Sequence, residues 1–257
     1  MERGKLHLFD GGMGGGKTTE ALKIANHQRH SLRLNPLVLQ PNVSFRKSMD
    51  TRKEARSRSR ISCDRHFIPE SDPFQSVYFA EKENSSGVFF LDAHMFRYDE
   101  LIASIEILLN NGRDVYIDSL TYDYGGRPWP LISAISPHVS SRQSFYTQCE
   151  CQERGDAPRG IYNQLFVKTP FSRKDELIDL LERENGEGKN AKIIALVRFG
   201  TEDPLTHFIL PAYFGPTNVT GDIGKSPSTS EEVSAKVIYL PRCEKCFTYP
   251  KRLTNLL

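Results

Sequence analysis

Eight residues constrain this chain more than any others. Gly11–Thr18, GGMGGGKT, fit the spacing G-x-x-x-x-G-K-[ST]. The short apolar run KLHLFD leads into them, and KTTEALKIANHQRH leaves them with helical character. A glycine-rich turn between a strand and a helix lets several backbone N–H groups converge on an anion. The helix N-terminus adds its own preference for negative charge. On this reading Gly11, Gly12, Met13, Gly14, Gly15 and Gly16 cradle the phosphates of ATP. Lys17 neutralises charge on the β- and γ-phosphates, and Thr18 offers its hydroxyl to Mg²⁺. The bland alternative is a glycine-rich turn that carries a lysine by chance. Five glycines in the six positions 11–16 exceed what the motif requires, which predicts a loop that orders only around its ligand.

The rest of the N-terminal half supplies a scaffold for such a loop. NPLVLQP, GVFFLDA and RDVYIDSL join KLHLFD as near-continuous apolar runs, the pattern of strands buried on both faces. DELIASIEILLNNG has helical spacing with an Asn-Gly stop, and RPWPLISAISPHV resumes helical spacing after the turn-rich TYDYGGRPWP. Strands alternating with helices predict an α/β fold, a P-loop NTPase-like parallel sheet flanked by helices. Residues 45–60, FRKSMDTRKEARSRSR, have almost no apolar content and read as a basic loop. Past about Phe145 the pattern changes to cysteines, short β-like runs and polar spacers, with one helical stretch, SRKDELIDLLEREN. The expected organisation is a nucleotide-binding domain over 1–144 and a smaller β subdomain over 145–257.

Bulk properties exclude several classes. A chain of 257 residues buries a full core, and 26% charged residues is ordinary for a globular protein. The net charge of +2 carries no overall bias toward nucleic acid or membrane. The basic run in 45–60 is diluted by Asp50 and Glu54 and reads as a solvated face rather than a nucleic-acid surface. No apolar run approaches the ~20 residues of a membrane helix. The start of the chain enters a strand pattern without a signal-peptide core, so a cytoplasmic location is expected. The five cysteines then do not read as a disulfide scaffold. Cys149 and Cys151 (C-x-C) with Cys243 and Cys246 (C-x-x-C) form a candidate four-thiolate structural zinc site, the first pair tighter than most. Unpaired reduced cysteines are the alternative.

Chemistry beyond phosphate binding is harder to place. Asp92 ends an apolar strand, where P-loop enzymes put a second magnesium carboxylate. Capping of the turn is the alternative role. Its neighbour is Ala93, which takes no proton. Two other groups are candidate bases. His94 lies two residues beyond Asp92, so in an extended strand both side chains point the same way. Asp118 sits near the end of VYIDSL, at the sheet edge where catalytic groups gather.

Together these residues resemble the type II thymidine kinase family, the zinc-ribbon kind. Its loop, G-x-M-x-[SA]-G-K-[ST]-T-E-L, is similar to GGMGGGKTTEAL at Gly11, Met13, Gly16, Lys17, Thr18, Thr19 and Glu20. LVLQP resembles its following strand, and Asp50, Thr51 and Arg52 loosely match its D-T-R segment. SLTYDYGGRPW is similar to its substrate loop at Leu120, Gly126 and Pro128, with Tyr124 and Trp129 aromatic for aromatic. Tyr239, Cys243 and Cys246 meet its closing Y-x-x-x-C-x-x-C. The resemblance covers residues 4–165 and 235–250; a long insertion, about 168–233, has no counterpart.

The resemblance implies an ATP- and Mg²⁺-dependent kinase acting on a deoxynucleoside, thymidine first, with a zinc-bearing lasso subdomain and a homo-tetrameric assembly. It implies that Tyr124 stacks on the base, Tyr239 is the lasso tyrosine and Met13 lines the same pocket. Two departures stand out. The family's D-E-[GA]-Q-F is DAHMF here, so its catalytic glutamate falls on Ala93, and its G-G before the lasso tyrosine falls on Ser234 and Ala235. Three functions follow as expectations: a nucleoside kinase with a relocated base, a nucleotide-binding pseudo-kinase, and a nucleic-acid binder using the basic run.

Overall fold

In chain order the strands and helices begin with β1 (Leu6–Gly11), α1 (Lys17–His30), β2 (Pro36–Pro41), β3 (Glu54–Arg56), β4 (Ser62–Asp64) and β5 (His66–Ile68). They continue with α2 (Gln75–Lys82), β6 (Gly87–Phe90), α3 (Tyr98–Asn110), β7 (Asp114–Asp118), α4 (Pro130–Ile135) and β8 (Ser141–Phe145). Short β9 (Thr147–Gln148) and β10 (Arg159–Gly160), then β11 (Tyr162–Pro170), β12 (His207–Pro211) and β13 (Val237–Arg242), complete the described elements. The computed structural model describes residues 2–42, 54–57, 59–123, 126–149, 159–170, 207–211, 237–244 and 247. Of residues 54–56, 164–170, 207–211 and 237–240 it describes the backbone alone.

Six strands form the central sheet in the order β5-β2-β6-β7-β1-β8, and every pairing in it is parallel. The apolar runs are split between its two faces by the two-residue period of a strand. Phe9, Val38, Phe89 and Tyr116 face α1, meeting Ala21, Leu22 and Ala25. Leu8, Leu37, Leu39, Val88, Phe90, Val115 and Ile117 face the other way, against Ala80 of α2, Leu101, Ile105 and Leu108 of α3 and Leu131 of α4. Burial on both faces is why β2 and β6 contain no exposed position. Rings stack across three strands, Phe89 on Tyr116 at 4.2 Å and Tyr116 on His7 at 4.5 Å. The α/β expectation, a parallel sheet with helices on both faces, is met.

Several local expectations are corrected. The run GVFFLDA is a strand only to Phe90; Asp92 takes a left-handed backbone (φ 50°, ψ 40°) and Ala93–Met95 form one 3₁₀ turn. Asp92 and His94 therefore do not share the face of an extended strand. Part of the expected basic loop is ordered as a hairpin, since β3 pairs antiparallel with β4. Residues 43–53 and Arg58, including Asp50, Thr51 and Arg52, lie outside the described residues. Helix α2 and strands β5 and β8 were not foreseen. β8 is exposed along most of its length because it is a sheet edge, so it lacks the apolar signature of its neighbours.

Beyond β8 the described backbone is antiparallel. β11 lies between β12 and β13, and β9 pairs with β10. Most of the long insertion lies outside the described residues, as do Ser234 and Ala235. Among the described residues no helix is long and apolar enough to cross a membrane.

Candidate functional site

β1 delivers Asp10 and Gly11 to the carboxyl edge of the sheet, and the chain turns there into α1. The turn requires glycine at specific places. Gly16 caps α1 at φ 104°, a left-handed conformation that a side chain opposes, and its carbonyl accepts the Glu20 N–H at 3.0 Å. Gly15 is a matter of space: a Cβ there would lie 2.5 Å from the Phe145 carbonyl oxygen. That same carbonyl accepts the Gly12 N–H at 3.1 Å, so the end of β8 forms one wall of the loop. The surplus of glycine thus reflects close packing against β8 and β10, where the Gly160 carbonyl crowds Gly12.

The functional side chains of the loop have defined partners. Lys17 is buried, and its Nζ donates to the Gly12 carbonyl at 2.7 Å. The Thr18 hydroxyl donates to Oδ2 of Asp118 at 2.6 Å. Asp118 is 1% exposed and sits at the end of β7, the strand hydrogen-bonded to β1, opposite Phe9. A hydroxyl and a carboxylate are hard oxygen donors, a set that suits Mg²⁺. Asp92 lies one strand further out and accepts Gln40 Nε2 at 3.1 Å. Gln40 in turn accepts from Arg65, a buried guanidinium stacked 3.9 Å above the Phe67 ring.

The candidate bases are placed differently from each other. His94 is buried, its Nδ1 accepts the Leu120 N–H at 3.4 Å, and its ring lies 5.1 Å from that of Trp129. It packs under the loop that follows β7. Asp118 is at the glycine-rich loop itself. Ala93 is fully buried in the core cluster with Phe90, Phe96 and Leu101.

The loop after β7 closes on itself. The Asp123 N–H donates to the Arg127 carbonyl at 2.8 Å, and the Trp129 N–H to the Thr121 carbonyl at 3.1 Å. Tyr124 lies outside the described residues. Met13 is partly buried and packs against the core cluster that holds Leu120 and Trp129. Tyr239 lies on β13 opposite Leu165 of β11. Cys149 and Cys243 are buried and follow β9 and β13, which pack together. Cys151 and Cys246 lie outside the described residues.

Two groups that the sequence did not single out tie this site together. Asp10 is fully buried and receives four hydrogen bonds. They come from Arg142 Nε (3.1 Å) and Nη2 (2.5 Å), Ser144 Oγ (2.7 Å) and Thr121 Oγ1 (2.8 Å). Burial alone would push its carboxyl up, but the hydrogen bonds from Arg142, Ser144 and Thr121 and the Arg142 charge outweigh it and hold it below the ordinary 3.8. Asn163 of β11 is buried as well; its Oδ1 accepts the Met13 N–H at 2.6 Å and its Nδ2 donates to the Tyr122 carbonyl at 3.3 Å. Tyr162 beside it lies between Tyr122 (5.0 Å) and Phe247 (4.4 Å). Asp10 stands next to the loop and was visible as a strand-end carboxylate. Asn163 gave no sequence signal, because its partners are 150 and 41 residues away.

A comparison with protein-family models matches residues 4–159 to the family described as thymidine kinase. No curated protein gave a match.

Proposed function

Because the chain belongs to the thymidine kinase family, matched over residues 4–159, we propose that it transfers the γ-phosphoryl group of ATP to the 5′-hydroxyl of a deoxynucleoside, thymidine before others. Membership supports a nucleoside kinase that uses ATP and Mg²⁺. One observation supports the phosphate-transfer part of this reading: Thr18 donates to Asp118 at 2.6 Å beside the buried Lys17, at the carboxyl edge of a parallel sheet. The loop amides and the α1 N-terminus bind the phosphates, and Lys17 neutralises their charge. Mg²⁺, when bound, would be held through Thr18 with Asp118 or Asp92 and would neutralise charge on the triphosphate. Met13, Tyr124 and Tyr239 form the base pocket, and Asn163 holds the phosphate loop against the acceptor loop. Cys149, Cys151, Cys243 and Cys246 take a structural zinc, and the chain assembles as a homo-tetramer in the cytoplasm.

Phosphoryl transfer passes through a loose transition state and depends mainly on positioning and charge. A general base contributes about 10²–10⁴-fold. With Ala93 at the glutamate's position, transfer proceeds slowly and without that contribution. A second reading, nucleotide binding without turnover, is favoured by the complete burial of Ala93. Titration calorimetry with ATP and with thymidine, followed by product detection in the same sample, separates the two. Binding with slow product formation that Lys17→Ala abolishes supports the kinase. Binding of ATP with no product from any deoxynucleoside supports the second reading, and no ATP binding refutes both.

A further inference from the structure

We infer that Asp118, and not Asp92, is the carboxylate that organises the metal side of the triphosphate site; the inference rests on the nucleotide-site reading above and assigns a residue within it. The topology comes first. β7 is hydrogen-bonded to β1, whereas β6, which Asp92 follows, is one strand further out. Asp118 pairs with Phe9, two residues before the phosphate loop begins at Gly11.

Hydrogen-bond accounting follows. A threonine hydroxyl has one proton and two lone pairs. The proton of Thr18 is committed to Asp118 Oδ2 at 2.6 Å. Its lone pairs are thereby directed away from Asp118 and available to a cation. A carboxylate that fixes the donor group of a metal ligand sets its orientation and raises its basicity. Asp118 is thus a positioning residue acting through Thr18.

Asp92 is engaged elsewhere. It accepts Gln40 Nε2 at 3.1 Å, and Gln40 accepts from the buried Arg65. This chain of contacts runs toward β2 and away from β1. Asp92 enters a left-handed turn at φ 50°, which aims the following residues, Ala93 and His94, into the core. Its role is to anchor that turn and the Gln40–Arg65 pair.

The test is ATP binding by calorimetry in EDTA and in excess Mg²⁺, on wild type, Asp118→Asn, Asp92→Asn and Thr18→Val, with far-UV circular dichroism as the folding control. The quantity read is the gain in affinity that Mg²⁺ confers. Asp118→Asn is expected to reduce that gain at least tenfold while binding in EDTA stays within about twofold of wild type. Asp92→Asn is expected to keep the gain. Should Asp118→Asn not fold, Asp118→Ser is measured in its place with the same expectation; Thr18→Val, which removes the metal's own ligand together with the pair, is expected to lose the gain as well. An undiminished gain in Asp118→Asn or Thr18→Val, or an equal or larger loss in Asp92→Asn, overturns the assignment. Absence of ATP binding by the wild type overturns the nucleotide-site reading instead.

Discussion

Replacing Arg142 with alanine tests the claim that a buried carboxylate pins the start of the glycine-rich loop. Arg142 makes two charge-assisted hydrogen bonds to Asp10, which is 0% exposed. Bonds of this kind contribute about 1.5–3 kcal/mol each. The Arg142 side chain is 43% exposed, so solvent screens a substantial part of that. Ser144 and Thr121 also remain to hold Asp10. The expected net cost is about 2–3 kcal/mol, or a fall in Tm of about 5–10 °C for a chain of this size. Denaturant unfolding of Arg142→Ala, Asp10→Asn and the double variant measures the coupling. The pH dependence has a definite sign. Asp10 has its folded pKa held below the ordinary 3.8, so its contribution is present above that value and is lost as pH falls through the folded value. Asp10→Asn should therefore flatten the acid limb below about pH 4. If Arg142→Ala costs under about 0.5 kcal/mol, or costs the same in the Asp10→Asn background, the pair does not hold the loop.

Three further outcomes are expected. Gly15→Ala should destabilise by about 1–3 kcal/mol, because its Cβ meets the Phe145 carbonyl at 2.5 Å. A Tm at or above wild type would show that β8 yields. Ala93→Glu should cost about 3 kcal/mol or more and fail to accelerate product formation, since position 93 is packed among Phe90, Phe96 and Leu101. A stable, faster variant would refute that packing argument. Purified protein should carry about one zinc per chain by elemental analysis, diminished in Cys243→Ser; a metal-free wild type with unaltered stability would remove the zinc proposal.

Much of the scaffold was legible because its signals are local. Apolar runs of strand length, a Gly-rich turn and an Asn-Gly stop each report on a few adjacent residues, and they locate β1, α1, β2, α3 and β7 to within a residue or two. The elements that went unseen are those whose reason lies elsewhere in the chain. β8 carries no apolar stripe and is a strand only because β1 offers it a free edge. The left-handed turn at Asp92 interrupts an apolar run with the pattern of a continuous strand, so His94 and Asp92 do not share a face.

The amino-acid order alone determined that a glycine-rich turn with the spacing of a phosphate loop sits between a buried strand and a helix, and that a parallel α/β sheet carries it. Which carboxylate meets Thr18, which carbonyls force glycine into the turn, and that Asp10 and Asn163 fasten it were decided by folding. Those contacts join residues 41 to 150 positions apart, and periodicity cannot report them, since only closure of the sheet brings such atoms within hydrogen-bond reach.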